Sequence, residues 1–338
     1  MKIAIVGGSF DPIHNGHIQL ANQAIERLGV DEVWFMPTKS TPLKDHALTL
    51  DQERLAMIDL VVKTNPKFKV CTLELERRGK SYTYDTLKEL TQKYPENCFY
   101  WIIGNDQLKQ FDQWKKADEL VKMAQFVCFD RDGQIEDSKY DILCMHMPAV
   151  PVSSTQIRQG NCLNYVLEDV LQYMYQNRLY VENFVASRLT EKRFRHSLSV
   201  AGLCESFALH NGYDIHRAYY VGLFHDVAKY MPEEEMLKWM KAICPENISY
   251  SPLVWHGFVG AAVTKSVFHI KDPLIYNAIY HHVLGTSREP YAMMVFCADK
   301  LDPLRGYDSS ALIQLCNENL EKGFDAVKIQ NKKYLKKG

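Results

Sequence analysis

The hydrophobic period of the chain changes near residue 182, and no single layer architecture accommodates both patterns. Before that point, short apolar runs at 2–6, 33–36, 70–75, 98–103, 126–129 and 142–147 alternate with stretches of helical spacing at 17–28, 51–63 and 83–93. This alternation predicts an α/β doubly wound, mainly parallel sheet with helices on both faces. Such sheets bind ligands beyond the carboxyl ends of their strands, and Gly7-Gly8 and Gly104 stand just past two predicted strand ends. From Glu182 onward strand-like runs nearly vanish. Helical patterns over 193–211, 217–229, 233–242, 258–268, 273–280 and 291–301 predict an all-α helical bundle. The expected domains are therefore 1–181 and 182–338, joined without a Pro/Gly/Ser-rich linker. The terminal NKKYLKKG reads as a frayed, solvated end.

Composition restricts the partners. A formal net charge of -1 gives no general attraction to nucleic acid or to an anionic membrane, so any phosphate site must be built locally. The nine cysteines include no C-x-x-C pair, which argues for reduced thiols over a disulfide framework or a cysteine-based metal site. The N-terminus enters a strand at Ile3 without a signal-peptide layout. No apolar run approaches the ~18 residues of a membrane span, so the expected location is cytoplasmic.

Two segments of the first half carry chemistry. Residues 7–17 read GGSFDPIHNGH. Gly7 and Gly8 permit a sharp turn and a close backbone approach to a ligand, with Ser9 and Phe10 following, and Asp11-Pro12 stiffens the chain after them. His14 and His17 arrive at a predicted helix start, where unpaired amides and the helix dipole favour phosphate. Adenylyl transfer from ATP requires positioning and charge neutralisation and no covalent protein chemistry. Imidazole donors can follow charge developing on an α-phosphate. The second segment, Val152-Ser153-Ser154-Thr155-Gln156-Ile157-Arg158, places hydroxyls before another helix start. They either cap that helix or, with Arg158, hold the departing β- and γ-phosphates.

With these motifs in view, residues 1–180 resemble the bacterial nicotinate-nucleotide adenylyltransferases, Rossmann-like members of the nucleotidyltransferase superfamily. The likeness extends to Pro37 with Lys44, Tyr82-Thr83-Tyr84-Asp85-Thr86-Leu87, Trp101-Ile102-Ile103-Gly104-Asn105-Asp106, Trp114 and the run 170–180. Pantetheine-phosphate adenylyltransferases and cytidylyltransferases fit these motifs less well. The resemblance implies transfer of AMP from Mg-ATP to nicotinate mononucleotide. Gly7, Gly8, Ser9, Phe10, His14, His17, Ser154, Thr155 and Arg158 would serve ATP, with His14, His17 and Arg158 in the catalytic role. Lys44 would hold the mononucleotide phosphate, and Thr83, Asp106 and Trp114 would shape the nicotinate pocket. Trp114 offers a stacking face for a pyridinium ring. Lys115 departs from the family, which often has an aromatic residue there.

The second half carries a different constellation. His225-Asp226 fall inside the predicted helix 217–229, where adjacent side chains diverge by about 100° and reach one site only across a metal or at a local bend. His196, His256, His282 and Asp299 lie far apart in sequence, which suggests ligands converging from several helices. A His/Asp set without Cys suits iron, manganese or similar ions, and a carboxylate such as Asp226 can bridge two of them. His210, His216 and His269 read as ordinary histidines.

Segments 195–198, 222–229, 256–261, 278–282 and 298–305 make this half similar to the HD-domain phosphohydrolases. It is closest to the bacterial group that splits diadenosine tetraphosphate symmetrically into two ADP. The resemblance implies His196, His225, Asp226, His256, His282 and Asp299 as ligands of a divalent-metal centre, di-iron in that group's manner, with His281 outside the ligand set. Lys229 as a catalytic cation and Arg305 as a substrate contact would meet a bridging phosphate. Departures are Val283-Leu284 after His282 and Asp302 where Glu is common. The expectation is a bifunctional enzyme whose ligands are ATP, nicotinate mononucleotide and diadenosine tetraphosphate. The alternative keeps the transferase and makes the helical half a regulatory nucleotide-binding module or a hydrolase of another nucleotide.

Overall fold

Ile3, Ala4, Ile5 and Val6 are all buried, as a strand covered on both faces requires. They form the middle of β1 (Lys2–Gly8) in a computed structural model that describes residues 1–39, 49–77, 81–130 and 138–335. β2 (Glu32–Pro37), β3 (Phe68–Val70), β4 (Cys98–Ile103), β5 (Gln125–Asp130) and β6 (Ile142–His146) complete one six-stranded sheet in the order β3-β2-β1-β4-β5-β6. Every neighbouring pair is parallel. The order reverses direction between β1 and β4, where a doubly wound sheet opens its ligand crevice. Gly8 ends β1 opposite Pro37, and Val6 pairs with Ile102, so the GGSFDP turn and Gly104 leave the sheet side by side.

The chain divides into two compact units. The first comprises Met1–Arg158 and Asn164–Asn177, and the second comprises Gln159–Leu163 and Arg178–Gly338. The first is the α/β unit. The second is all helical, with Glu191–Asn211, Ile215–Phe224, Glu233–Ile243, Pro252–Ser266, Pro273–His281, Pro290–Leu301, Ser310–Glu318 and Leu320–Leu335 as its longer helices. No disulfide joins the cysteines. No helix among the described residues is long and apolar enough to cross a membrane.

Several local expectations are corrected. The run 70–75 is not a strand: β3 ends at Val70 and Leu73–Glu76 turns into a short helix. Its apolar residues Leu73 and Leu75 are buried by the helix instead, together with Glu74, whose carboxylate accepts a 2.9 Å hydrogen bond from Thr86 Oγ1. The helix expected over 217–229 stops at Phe224. The helix expected from 258 begins at Pro252, capped by Ser251 Oγ, and thus takes in His256. Proline fits the first helical turn because its missing N–H is not needed there. Finally, Leu320–Leu335 carries a helix into the tail read as frayed.

Candidate functional site

In the α/β unit, helix Asn15–Leu28 starts where β1 ends. His14 is its N-cap and closes it reciprocally: His14 Nδ1 accepts from the Gly16 amide at 3.2 Å, and the His14 amide donates to His17 Nδ1 at 3.2 Å. With Nδ1 of each ring engaged as acceptor, the neutral imidazoles carry their protons on Nε2. The rings lie 3.8 Å apart between centroids. Gly16 suits this arrangement, since a Cβ there would sit 3.0 Å from the His14 ring and press on it. Phe10, at φ 48° and fully buried, packs its ring edge against His17 at 4.9 Å.

The second motif is brought to the first. Helix Ser154–Arg158 follows Ser153, whose Oγ accepts from the Gln156 amide. Ser154 Oγ donates to the Pro12 carbonyl at 2.9 Å, and Arg158 Nη1 donates to the Asp11 carbonyl at 2.6 Å. Arg158 also donates to Thr155 Oγ1 at 3.2 Å. The two segments, more than a hundred residues apart, therefore share one loop. Sequence reasoning missed Arg54, a fully buried guanidinium that donates to the Ser9 carbonyl at 2.6 Å and the Thr49 carbonyl at 3.2 Å and pairs with Asp51. It ties helix Asp51–Val62 to the turn after β1. In the sequence it is one more arginine in a helical pattern, with no signal of its burial.

Of the expected acceptor-side residues, Thr83 opens helix Thr83–Lys93, and Trp114 is half-buried with its ring 5.2 Å from Phe111. Lys115, the departing residue, bonds Asp85 at 2.8 Å and lies over the Tyr82 ring, which ties the two segments together. Asp106 is exposed on helix Asn105–Lys109 and stands apart from that tie. Lys44 lies outside the described residues.

In the helical unit the six expected metal-site residues converge. Because helix Ile215–Phe224 ends one residue before His225, His225 and Asp226 turn toward one site from a bend instead of diverging on a helix. Three histidines repeat one device: Nδ1 of His225, His256 and His282 contacts the carbonyl three residues earlier, of Gly222, Leu253 and Ile279, at 2.7, 2.9 and 2.7 Å. His196 instead places Nδ1 against the Asp302 carboxylate. Nδ1–H is thereby the donor in each ring, and every Nε2 is left as a lone pair.

Those lone pairs face two carboxylates. Nε2 of His225, His256 and His282 lie 3.3, 3.1 and 3.8 Å from Asp226, and that of His196 lies 3.1 Å from Asp299. Two groups, His196/His225/Asp299 and His225/Asp226/His282, each have their donor atoms within 4.8 Å of one another. His256 joins neither group but meets Asp226. His281 points elsewhere, to Thr286. The donor set fits a divalent metal, and the fully buried His225 Nε2 makes no hydrogen bond.

Electrostatics support anionic carboxylates here. Burial alone would raise the Asp226 carboxyl, but His225, with the imidazoles of His256 and His282 beside it, holds it well below its ordinary range. Asp299 is likewise low, because Lys300 and His196 outweigh its burial. Burial pushes His282 down to about 4 and lowers His256 and Lys229. Cations border the site: Arg193 is 2.9 Å from Asp226, Lys300 2.7 Å and Arg305 2.6 Å from Asp299, and Lys229 Nζ is 3.2 Å from His256 Nε2. Arg193 was missed in the sequence and Asp302 was noted only as a departure, although each lies three residues from an expected ligand and so on the same side of its chain segment. Beside these groups opens a cleft of about 1360 Å³ that His196 and Asp302 help to line.

With both geometries described, comparison with known proteins is informative. Residues 5–160 match the Cytidylyltransferase-like family and residues 193–304 match the HD domain. A Mycoplasma pneumoniae protein described as a "probable nicotinate-nucleotide adenylyltransferase/Ap4A hydrolase" is 27% identical over 329 residues, spanning 94% of this chain and 95% of its own. A Mycoplasma genitalium protein of the same description is 28% identical, spanning 96% and 95%. The Bacillus subtilis nicotinate-nucleotide adenylyltransferase is 40% identical over 185 residues, covering 53% of this chain and 98% of its own.

Proposed function

We propose, for a chain that belongs to the nicotinate-nucleotide adenylyltransferase family and carries an HD domain in its second half, two activities on adenylyl phosphates. The first is adenylyl transfer: nicotinate mononucleotide attacks the α-phosphorus of Mg-ATP, the P–O bond to the β-phosphate breaks, and deamido-NAD and pyrophosphate leave. The observation that carries it is the fixed Nε2–H tautomer of His14 and His17 beside a loop to which the SSTQIR helix is bonded.

In this reading His14 and His17 donate to the α-phosphate as its charge grows. Gly7 and Gly8, with the backbone of Ser9 and Phe10, bring the turn against the nucleotide. Ser154, Thr155 and Arg158 hold the leaving pyrophosphate. Thr83, Asp106 and Trp114 orient the pyridine ring, and Lys44 binds the acceptor's phosphate. Mg accompanies ATP as its counter-ion.

The second activity is metal-dependent hydrolysis, with diadenosine tetraphosphate split into two ADP. An HD domain implies a divalent metal, and His196, His225, Asp226, His256, His282 and Asp299 would hold it, as a di-iron pair in this reading. The metal, when bound, supplies Lewis-acid polarisation of a phosphoryl oxygen. The chain's own part is to fix every imidazole by its Nδ1 hydrogen bond and to gather negative phosphate between Arg193, Lys229, Lys300 and Arg305. Support for the substrate comes from the two Mycoplasma relatives, whose descriptions name it for them.

One purified preparation tests both activities, assayed for deamido-NAD from nicotinate mononucleotide and ATP, and for ADP from diadenosine tetraphosphate. His17→Ala is expected to remove only the first activity and Asp226→Ala only the second. Loss of both from either change would refute two separate sites.

A further inference from the structure

Each of the two carboxylates at the metal site is followed along the chain by a cation and then a tyrosine. Asp226 leads to Lys229 and Tyr230, and Asp299 leads to Arg305 and Tyr307. Both tyrosines line the same cleft as Arg193, Lys300 and Arg305. Both are substantially exposed, Tyr230 at 54% and Tyr307 at 46%, unlike the tyrosines of the neighbouring core such as Tyr220 at 3%. Their positions are built. Tyr230 closes the run of turns that begins at His225 and accepts a hydrogen bond from Thr190 Oγ1 at 3.3 Å. Tyr307 follows Gly306, whose φ of 82° bends the chain directly after Arg305 is fastened to the Asp299 carbonyl at 2.7 Å.

We infer that Tyr230 and Tyr307 are the base platforms of this cleft, one for each nucleoside end of a ligand whose polyphosphate lies across Arg193, Lys300 and Arg305. An exposed ring beside fixed cations offers the π-face on which a nucleobase stacks. A cleft of about 1360 Å³ exceeds the ~300–1,000 Å³ of an ordinary small-ligand site, which suits a ligand with two bases. Two carboxylate–cation–tyrosine arms match such a ligand better than a mononucleotide, which would use one arm. The inference rests on the hydrolase reading above and adds the residues that select a two-ended substrate.

Binding to the full chain is measured by titration calorimetry with a methylene-bridged, non-hydrolysable diadenosine tetraphosphate, with ADP, and with inorganic tripolyphosphate as a base-free probe. Tyr230→Ala and Tyr307→Ala should each weaken the dinucleotide analogue about tenfold while leaving tripolyphosphate unchanged, and Tyr230→Phe and Tyr307→Phe should bind as the parent does. Equal binding of the analogue by parent and both alanine variants overturns the platforms alone. A parent protein that binds tripolyphosphate but neither nucleotide overturns the hydrolase reading and the platforms with it. Weakened tripolyphosphate binding in an alanine variant would assign that tyrosine to phosphate positioning and overturn its role as a base platform.

Discussion

Nδ1 of His14 accepts a hydrogen bond from the Gly16 amide, whereas Nδ1 of His225 donates one to the Gly222 carbonyl. One backbone contact thus gives the same side chain opposite chemistry: Nε2–H, a donor suited to phosphate, in the first unit, and an Nε2 lone pair, suited to metal, in the second. Nitrogen-15 NMR on the metal-free protein above pH 7.5 should find His14 and His17 in the Nε2–H form and His225, His256 and His282 in the Nδ1–H form. A common tautomer at both sites would refute the distinction. His196 depends on a side chain for the same service. Asp302 is fully buried and faces His196 Nδ1 with one oxygen while the other accepts from Ser199 Oγ at 2.6 Å and the Leu304 amide at 3.1 Å. Asp302→Asn would turn a competing N–H either toward His196 Nδ1–H or toward the Ser199 hydroxyl and the Leu304 amide, which both donate to this position. Metal content after dialysis against graded chelator should then show an affinity about 10- to 100-fold weaker, with adenylyl transfer unchanged.

Helices Glu191–Asn211 and Ile215–Phe224 deliver His196 and the His225-Asp226 bend to the same place, and their closeness depends on Gly222. A Cβ there would lie 2.5 Å from Ala201 Cα and 2.7 Å from its amide nitrogen, both backbone atoms that no rotamer change can clear. Gly222→Ala is expected to destabilise the helical unit by about 1–3 kcal/mol, seen as a lower-temperature unfolding transition with reduced metal retention; a Tm and metal content equal to the parent's would contradict this. At this scale the sequence is unevenly legible. The central strands are plain because β1, β4 and β5 are buried on both faces and read as unbroken apolar runs. The segment 70–75 is not, since one short apolar run is shared between the end of β3 and a helix that buries Leu73, Glu74 and Leu75. The end of helix Ile215–Phe224 is also hidden, because Val227 and Ala228 stay buried after it and continue the apolar pattern through the turns. The start of helix Pro252–Ser266 was available in Ser251-Pro252, a capping residue followed by an N-terminal proline. The six residues expected at the metal site could be picked out by residue type, but the ties of Arg54 to Ser9 and of Asp302 to His196 could not: each joins partners distant in sequence.

On the proposed reading, a chain that joins these two units joins an enzyme that makes adenylyl–phosphate bonds to one that breaks a pyrophosphate bridge. In the transferase as proposed, discrimination against a wrong acceptor would rest on the pocket around Thr83 and Trp114. The donor side, assigned to His14, His17, Ser154 and Arg158, would recognise ATP whatever the acceptor is. If a second ATP occupies the acceptor position, its terminal phosphate can attack the α-phosphorus of the first, releasing pyrophosphate and forming diadenosine tetraphosphate. The HD half, on the reading above, returns that product to two ADP. Joining the two in one chain keeps them at a fixed ratio and raises the hydrolase concentration seen by any stray dinucleotide. The hypothesis is specific about one variant. Asp226→Ala, incubated with ATP and Mg and no nicotinate mononucleotide, should accumulate diadenosine polyphosphates detectable by anion-exchange chromatography, while the parent protein accumulates none. Adding nicotinate mononucleotide should suppress the accumulation by competing for the acceptor position, and combining His17→Ala with Asp226→Ala should abolish it. An Asp226→Ala protein that transfers AMP to nicotinate mononucleotide at the parent rate yet forms no dinucleotide from ATP alone would separate the two activities in purpose and leave their fusion without this explanation.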